Sequence, residues 1–356
     1  MKNIGILTFQ YPENRNFGAS LQSYACLNLL KKFNENVELI NYYPIYYNYS
    51  LKSKLILNLE SKNFIEYNKK FLNLTRKIVS NENLNFLNKE FDTFIVGSDQ
   101  VWRIIWFKNV ASHYFFDFVD ENKKKIAYAA SFGVDFWEGD KKLTEEIKPL
   151  IKRFDAISVR EESGIDICKD TFGVDAVCVL DPTLVVTKED YQPILNDWKD
   201  KSHLKKKYIA HMLLDDTEEL KKESQNIADY LEAGINYIKG KEKKFLWKKY
   251  FSYNKVSQWL TYLKDAELVI TDSFHCTVFS IIFHKKFVVV ANPMRGIARL
   301  ETLLSKVGLE ERFFTDIKDV MKSGILDKEI DYNEVEKKLA VHRRYSMDFL
   351  KKALED

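Results

Sequence analysis

The stretch LVITDSFHCTVFSIIFHKKFVVV, residues 268–290, sets a polar knot between two apolar runs. Asp272, Ser273 and His275 fall where a strand over 267–271 ends and a helix begins. Asp272 or Ser273 can cap that helix, whose first N–H groups attract an anion. His275, projecting from the first turn, could donate a proton to a leaving oxygen or bind a phosphate or carboxylate. Capping plus a satisfied polar side chain explains the same letters. His284, beside Lys285 and Lys286, reads as a surface residue.

Three more polar groups follow apolar runs. In NRNFGASLQ (14–22), Gly18 can let the backbone approach a ligand, with Asn16 and Gln22 as polar contacts; a tight turn and a helix cap is the plainer reading. The spacing is not GxGxxG, so a dinucleotide site has little support. In VGSDQVW (96–102), Asp99 could act as a base or order a loop, Gln100 adds a polar contact, and Trp102 could line a sugar site. A hydrogen-bonded turn serves equally well. In SVREESG (158–164), Arg160 at a strand end suits bidentate binding of a carboxylate or phosphate, unless Glu161 and Glu162 neutralise it. Arg295 and Arg299, after the strand 286–290, bring further positive charge toward the TDSFH edge.

These residues need strand ends to hold them. Strand 4–9, a helix over 18–33 and strand 37–41 have the pitch of a parallel α/β sheet, continued by strands at 91–98, 125–131, 154–160 and 176–180. A second set follows: strand 207–213, helix 216–231, strand 235–240, helix 256–264, strand 267–271, helix 276–283 and strand 286–290. The expected architecture is α/β, two Rossmann-like domains facing across a cleft, with ligands at the carboxyl ends of strands. Residues 1–184 form the N-terminal domain, with a helical excursion at about 45–90. Residues 185–340 form the C-terminal, donor-binding domain. The helix at 341–356 can pack back on the first. Tyr42, Tyr43, Tyr46, Tyr47 and Tyr49 could line an acceptor site or simply cover the nearby core.

Length and composition bound the function. A chain of 356 residues exceeds the usual size of one core. With 55 basic and 52 acidic residues the net charge is only +3, so no nucleic acid partner is expected. No signal segment or membrane span is read, and the four cysteines form no CxxC pair; free thiols in a cytoplasmic protein are the expectation. No metal site, P-loop or GxSxG elbow is found, and no cofactor is expected.

Together these stretches resemble the polysaccharide pyruvyl transferase family. The likeness runs in order through LTFQYPENRNFGASLQSYA, VGSDQVW, YAASFG, ISVREESG, VLDPT, AELVITDSFHCTVFSIIF and RLETLLSKVGLEERF, over roughly residues 4 to 314. It implies a fold similar to the B-type glycosyltransferases. It also implies transfer of the three-carbon unit of phosphoenolpyruvate onto a sugar as a pyruvate ketal, with release of phosphate. On matching positions, Arg160 would grip the donor and His275 would act as acid or acid/base; Asp99 would activate the acceptor or hold its loop.

The sequence departs from the family's pattern at one place. Family members often carry Arg-Leu-His at the second-domain strand end; here the run is Ser273-Phe274-His275, followed by Cys276 where glycine is common. Arg295 or Arg299 could restore the charge. Without that arginine, a glycosyltransferase using a nucleotide sugar is the alternative enzyme, and a non-catalytic sugar-binding protein of polysaccharide assembly the alternative class. A lipid-linked acceptor would make peripheral contact with the inner membrane face natural, with the Lys-rich 45–90 segment as the place to look; a solvated charged face accounts for the same pattern.

Overall fold

The computed structural model describes residues 2–44, 51–200, 202, 206–245 and 248–355. The chain forms two compact units. The first comprises Met1–Ser53, Asn68–Val186 and Val341–Asp356, the second Lys54–Tyr67 and Thr187–Ala340.

In chain order the first unit runs β1 (Ile4–Leu7), α1 (Phe17–Lys31), β2 (Val37–Leu39) and β3 (Tyr42–Tyr43), then, after α2 (Leu51–Phe71), most of which belongs to the second unit, β4 (Ile78–Val79). It continues with β5 (Thr93–Val96), β6 (Lys124–Ala130), α3 (Lys141–Ile151), β7 (Ala156–Val159), α4 (Ser163–Ile167), β8 (Val177–Cys178) and α5 (Pro182–Val185). Six parallel strands line up in the order β2-β1-β5-β6-β7-β8. Burial on both faces explains why β5 and β6 read as continuous apolar runs rather than alternating ones. The strand order reverses between β1 and β5, the kind of switch point where α/β sheets bind ligands. Just beyond β5, Gly97 has φ +111, and a Cβ there would stand 2.2 Å from the Tyr128 carbonyl oxygen, so only glycine fits.

The second unit runs α6 (Gln192–Leu195), β9 (Tyr208–Met212), α7 (Glu218–Tyr230), β10 (Gly234–Tyr237), β11 (Gly240–Phe245), β12 (Lys248–Tyr253), α8 (Val256–Asp265) and β13 (Leu268–Thr271). It ends with α9 (Phe274–Ile282), β14 (Lys286–Val290), α10 (Ala298–Val307), β15 (Phe313–Phe314), α11 (Lys318–Lys322) and the start of α12 (Tyr332–Glu355). Its sheet is again parallel, in the order β10-β9-β13-β14-β15, with the reversal between β9 and β13. The expected α/β class with two Rossmann-like sheets is what the chain adopts.

Two features differ from the sequence reading. Lys54–Tyr67, within the expected excursion at about 45–90, belongs to the second unit. Within the second unit, the Asn63 amide of α2 donates to the Tyr253 carbonyl at 2.7 Å, and Glu60 accepts from the Phe251 N–H at 3.1 Å. A helix that meets partners nearly 200 residues away in sequence gives no local sign of it. The other difference is the β11–β12 antiparallel hairpin, which the sequence reading passed over because its lysines obscure the alternation.

The last helix also divides. From Val341 onward α12 belongs to the first unit, where Ser346 Oγ accepts from Leu180 N–H at 3.0 Å and Arg343 Nε donates to the Leu184 carbonyl at 2.7 Å. Tyr42 is buried, its hydroxyl 2.6 Å from His113 Nδ1, so it covers the core; Tyr46, Tyr47 and Tyr49 lie outside the described residues. All four cysteines are free thiols. Among the described residues no helix is long and apolar enough to cross a membrane.

Candidate functional site

At the carboxyl edge of the first sheet, the polar residues of several motifs meet in one buried hydrogen-bonded chain. Gln22 Nε2 of α1 donates to Thr8 Oγ1 at 2.8 Å, and Thr8 donates to the Ser98 carbonyl at 2.8 Å. Ser98 Oγ donates to Asp181 Oδ2 at 2.8 Å, and Arg160 Nη1 donates to the same oxygen at 2.7 Å. Asp99 Oδ1 stands 3.6 Å from Arg160 Nη2 and accepts from Gln100 N–H at 2.9 Å. Glu161 is fully buried and accepts from Ser131 Oγ and from the N–H groups of Phe132 and Gly133. Such a network rigidifies the loops after β1, β5, β6 and β7, because a buried polar group left unmatched is costly.

Several of the expected contact residues are held by neighbours within the fold. Arg160 is 3% exposed, with its guanidinium between Asp181 and Asp99. Trp102 is buried; its indole stacks on Phe115 at 5.2 Å and donates Nε1–H to the Tyr114 carbonyl. Gln22 is wholly buried and faces Thr8. Asn16 caps α1, its Oδ1 accepting from Ala19 N–H at 3.1 Å, and Gly18 lies buried in that helix's first turn. Gln100 is partly exposed, its Oε1 accepting from Trp106 Nε1 at 3.3 Å, and Asn16 is exposed.

The second sheet's edge is built differently. Thr271 Oγ1 donates to the Met212 carbonyl and accepts from Ser273 N–H, fixing the end of β13 against β9. Asp272 does not cap α9. Its carboxylate accepts from Leu214 N–H and from Asn292 Nδ2, both at 2.8 Å, and burial raises its pKa. Ser273 occupies the N-cap position without using its side chain. Arg295 binds Asp215 through Nε and Nη2, each at 2.8 Å, which pulls the Asp215 carboxyl down to about 2. The loops after β9, β13 and β14 are thus stitched together around the switch point.

His275 sits in the first turn of α9, 6% exposed, with its ring edge-on to Phe274 at 5.2 Å. The Arg299 guanidinium of α10 lies 5.8 Å from the centre of the Phe274 ring and donates to the Arg295 carbonyl at 2.9 Å. An arginine from α10 therefore reaches the start of α9, where the sequence carries serine instead of arginine. Burial pushes the Cys276 thiol up to about 12, so it stays neutral. The structure brings Asp272, Ser273, His275, Arg295 and Arg299 to one edge, and Asp99 and Arg160 to another, in different units.

Two residues were missed. Asp181, quoted in VLDPT without a role, is the hub of the first network. His211 at the end of β9 is buried, with Nε2 3.8 Å from Asp216 Oδ1; burial lowers its pKa to about 4, so it is neutral at neutral pH. A lone histidine in an apolar strand carries no distinguishing signal in sequence. Chemically, the second edge offers helix N-terminal N–H groups, a cationic arginine and an imidazole, a combination suited to an anionic ligand that must gain or lose a proton.

A sequence model described as polysaccharide pyruvyl transferase matches residues 16–293. No curated protein matches the chain significantly. Among solved structures, the UDP-GlcNAc 2-epimerase of Neisseria meningitidis bound to UDP-GlcNAc superposes with a TM-score of 0.55 at 9% identity, covering 99% of each chain. A Staphylococcus aureus MnaA structure with UDP gives 0.54 at 13% identity, over 94% of this chain and 91% of that one. At such identities the likeness is one of fold.

Proposed function

Because the chain belongs to the polysaccharide pyruvyl transferase family, we propose that it transfers the pyruvyl unit of phosphoenolpyruvate to a pair of sugar hydroxyls. The acceptor is a polysaccharide or its lipid-linked precursor, the product a pyruvate ketal and inorganic phosphate. The observation that supports this reading within the fold is His275 on the first turn of α9, with Arg299 reaching the neighbouring Phe274 ring in the same turn.

The proton balance suits a single acid/base group. The donor methylene carbon gains one proton and becomes the ketal methyl, while the adjacent carbon gains two C–O bonds and loses its bond to phosphate. Two acceptor hydroxyls each lose a proton; one balances the methyl group, the other leaves with phosphate. His275 can relay these protons, and Arg299 with the helix N-terminus favours the donor's carboxylate and phosphate. Asp99 and Arg160, locked to each other and to Asp181, are assigned to positioning the β5 loop rather than to chemistry.

A nucleotide sugar is the alternative donor, since the Neisseria meningitidis epimerase of similar fold is bound to UDP-GlcNAc. Calorimetry decides between the donors. Phosphoenolpyruvate should bind to wild type and lose affinity in Arg299→Gln; selective binding of UDP-GlcNAc would instead make the protein a nucleotide-sugar enzyme. Phosphate release on adding acceptor glycans, with a pyruvate ketal in the product, completes the test.

A further inference from the structure

The hairpin β11–β12 is unlike the rest of the second unit. Its twelve paired residues run antiparallel from Gly240↔Tyr253 to Phe245↔Lys248, so its far end lies about 17 Å from its base at the usual strand rise. The base is anchored: Phe251 and Tyr253 pack edge to face at 4.7 Å, Tyr253 meets Phe64 of α2, and Glu60 and Asn63 bind the β12 backbone. Beyond that base, Lys241, Glu242, Lys243, Lys244 and Phe245 are all exposed. The run KGKEKKFLWKK, residues 239–249, holds six lysines and one glutamate, a net charge of +5 in a chain whose total is +3.

Lysines on an unpaired strand edge guard against edge-to-edge aggregation, and that role alone would account for some of them. It does not account for an aromatic side chain at the far end. Phe245 is 40% exposed, and the sequence continues with Leu246 and Trp247. Glu242 is the one acidic residue in the run; it lies 3.7 Å from Lys249 and offsets a single charge. An exposed phenylalanine flanked by long basic side chains matches a bilayer boundary, where aromatic residues settle at headgroup level and lysines reach anionic headgroups.

We infer that this hairpin docks the protein on a membrane surface rich in anionic lipid. Lys241, Lys243, Lys244 and Lys249 bind headgroup phosphates and Phe245 enters the boundary layer. The inference does not rest on the pyruvyl transfer reading, since it concerns the surface on which the protein works and not the reaction. It also moves the expected membrane contact from the 45–90 segment to the hairpin, where basic charge and exposed apolar surface coincide.

Co-sedimentation of the full chain with phosphatidylcholine vesicles, with and without phosphatidylglycerol, tests it, alongside retention on heparin as a soluble polyanion. Wild type should sediment with the anionic vesicles only, and less as salt rises. Replacing Lys241, Lys243 and Lys244 together by Gln should weaken binding roughly a hundredfold. Phe245→Ser should weaken vesicle binding while leaving heparin retention unchanged. These side chains are exposed, so unaltered thermal melting verifies that both variants fold. Failure to bind anionic vesicles, or binding that survives both changes, overturns the proposal. Heparin retention together with vesicle binding that ignores Phe245→Ser identifies a soluble polyanion as the partner instead.

Discussion

Arg160 Nη1 lies 2.7 Å from Asp181 Oδ2, and both side chains are withdrawn from solvent, at 1% and 0% exposure. The pair joins β7 to the segment after β8, and through Ser98 it reaches the loop after β5. Removing Asp181 takes away the carboxylate that accepts the Arg160 Nη1 hydrogen bond, with Asp99 and Glu161 still nearby. Asp181→Ala should therefore lower stability by about 3–5 kcal/mol in chemical denaturation, the cost of breaking one half of a buried pair. Arg160→Ala should likewise lose stability before any donor affinity is measured. An Arg160→Ala protein with wild-type stability and no phosphoenolpyruvate binding would restore Arg160 as a donor ligand.

Trp102 provides a second contrast between packing and binding. Trp102→Ala empties a site between Phe115 and Phe132 and should cost about 3–5 kcal/mol. Trp102→Phe keeps most of the volume, and the KM values for donor and acceptor should stay at wild type. A selective rise in acceptor KM for Trp102→Phe would place the ring at the sugar after all.

His275 is the residue on which the proposed chemistry turns. His275→Ala should reduce kcat by about a hundredfold or more, measured as phosphate release or ketal formation, because general acid–base catalysis typically contributes that much. Donor affinity should fall far less, since Arg299 and the helix N-terminus remain. Retention of full turnover by this variant would remove His275 from the mechanism and favour a binding protein or another acid.

Asp215 and Arg295 set a pH dependence whose sign can be worked out. The Asp215 carboxyl is held at about 2, below its ordinary range, chiefly by hydrogen bonds from Arg295. A depressed folded pKa means the stabilisation is fully present above about 4 and disappears as pH falls through about 2. Both side chains are more than a third exposed, so screening limits the effect to about 1 kcal/mol or less. In Arg295→Ala the Asp215 titration, followed by NMR, should move up toward the ordinary carboxylate range, and the acid limb of the stability curve should flatten. An unmoved titration would mean that Asn292 and the loop backbone hold the carboxylate without the arginine.

Much of this fold could be read from local pattern. Apolar runs at 91–98, 207–213 and 286–290 announce buried parallel strands, because both faces of each strand are covered and no alternation is needed. Asn16 before α1 and Gly173 after the 161–172 segment, with φ +67, mark helix boundaries through chemistry that acts over a few residues. The positions of Asp99, Arg160 and Asp272 at strand ends were equally legible, as was the order of blocks that carries the family.

The direction those side chains face was decided elsewhere. Ser98 meets Asp181 across 83 residues, and Asn63 meets Tyr253 across 190, so the partner that absorbs a polar group lies far outside any local window. Local letters show that Arg160 stands at a strand end; they do not show that Asp181 occupies its guanidinium. The same holds for Arg299, which reaches the start of α9 only because α10 packs beside it. Sequence by itself determined most of the buried strands and helices and where their polar ends fall, because periodicity and capping are short-range, but not the lysine-rich β11–β12 hairpin. Tertiary structure alone decided which of those ends are locked in hydrogen bonds and which remain at the edge, because burial and charge pairing depend on what the rest of the chain brings alongside.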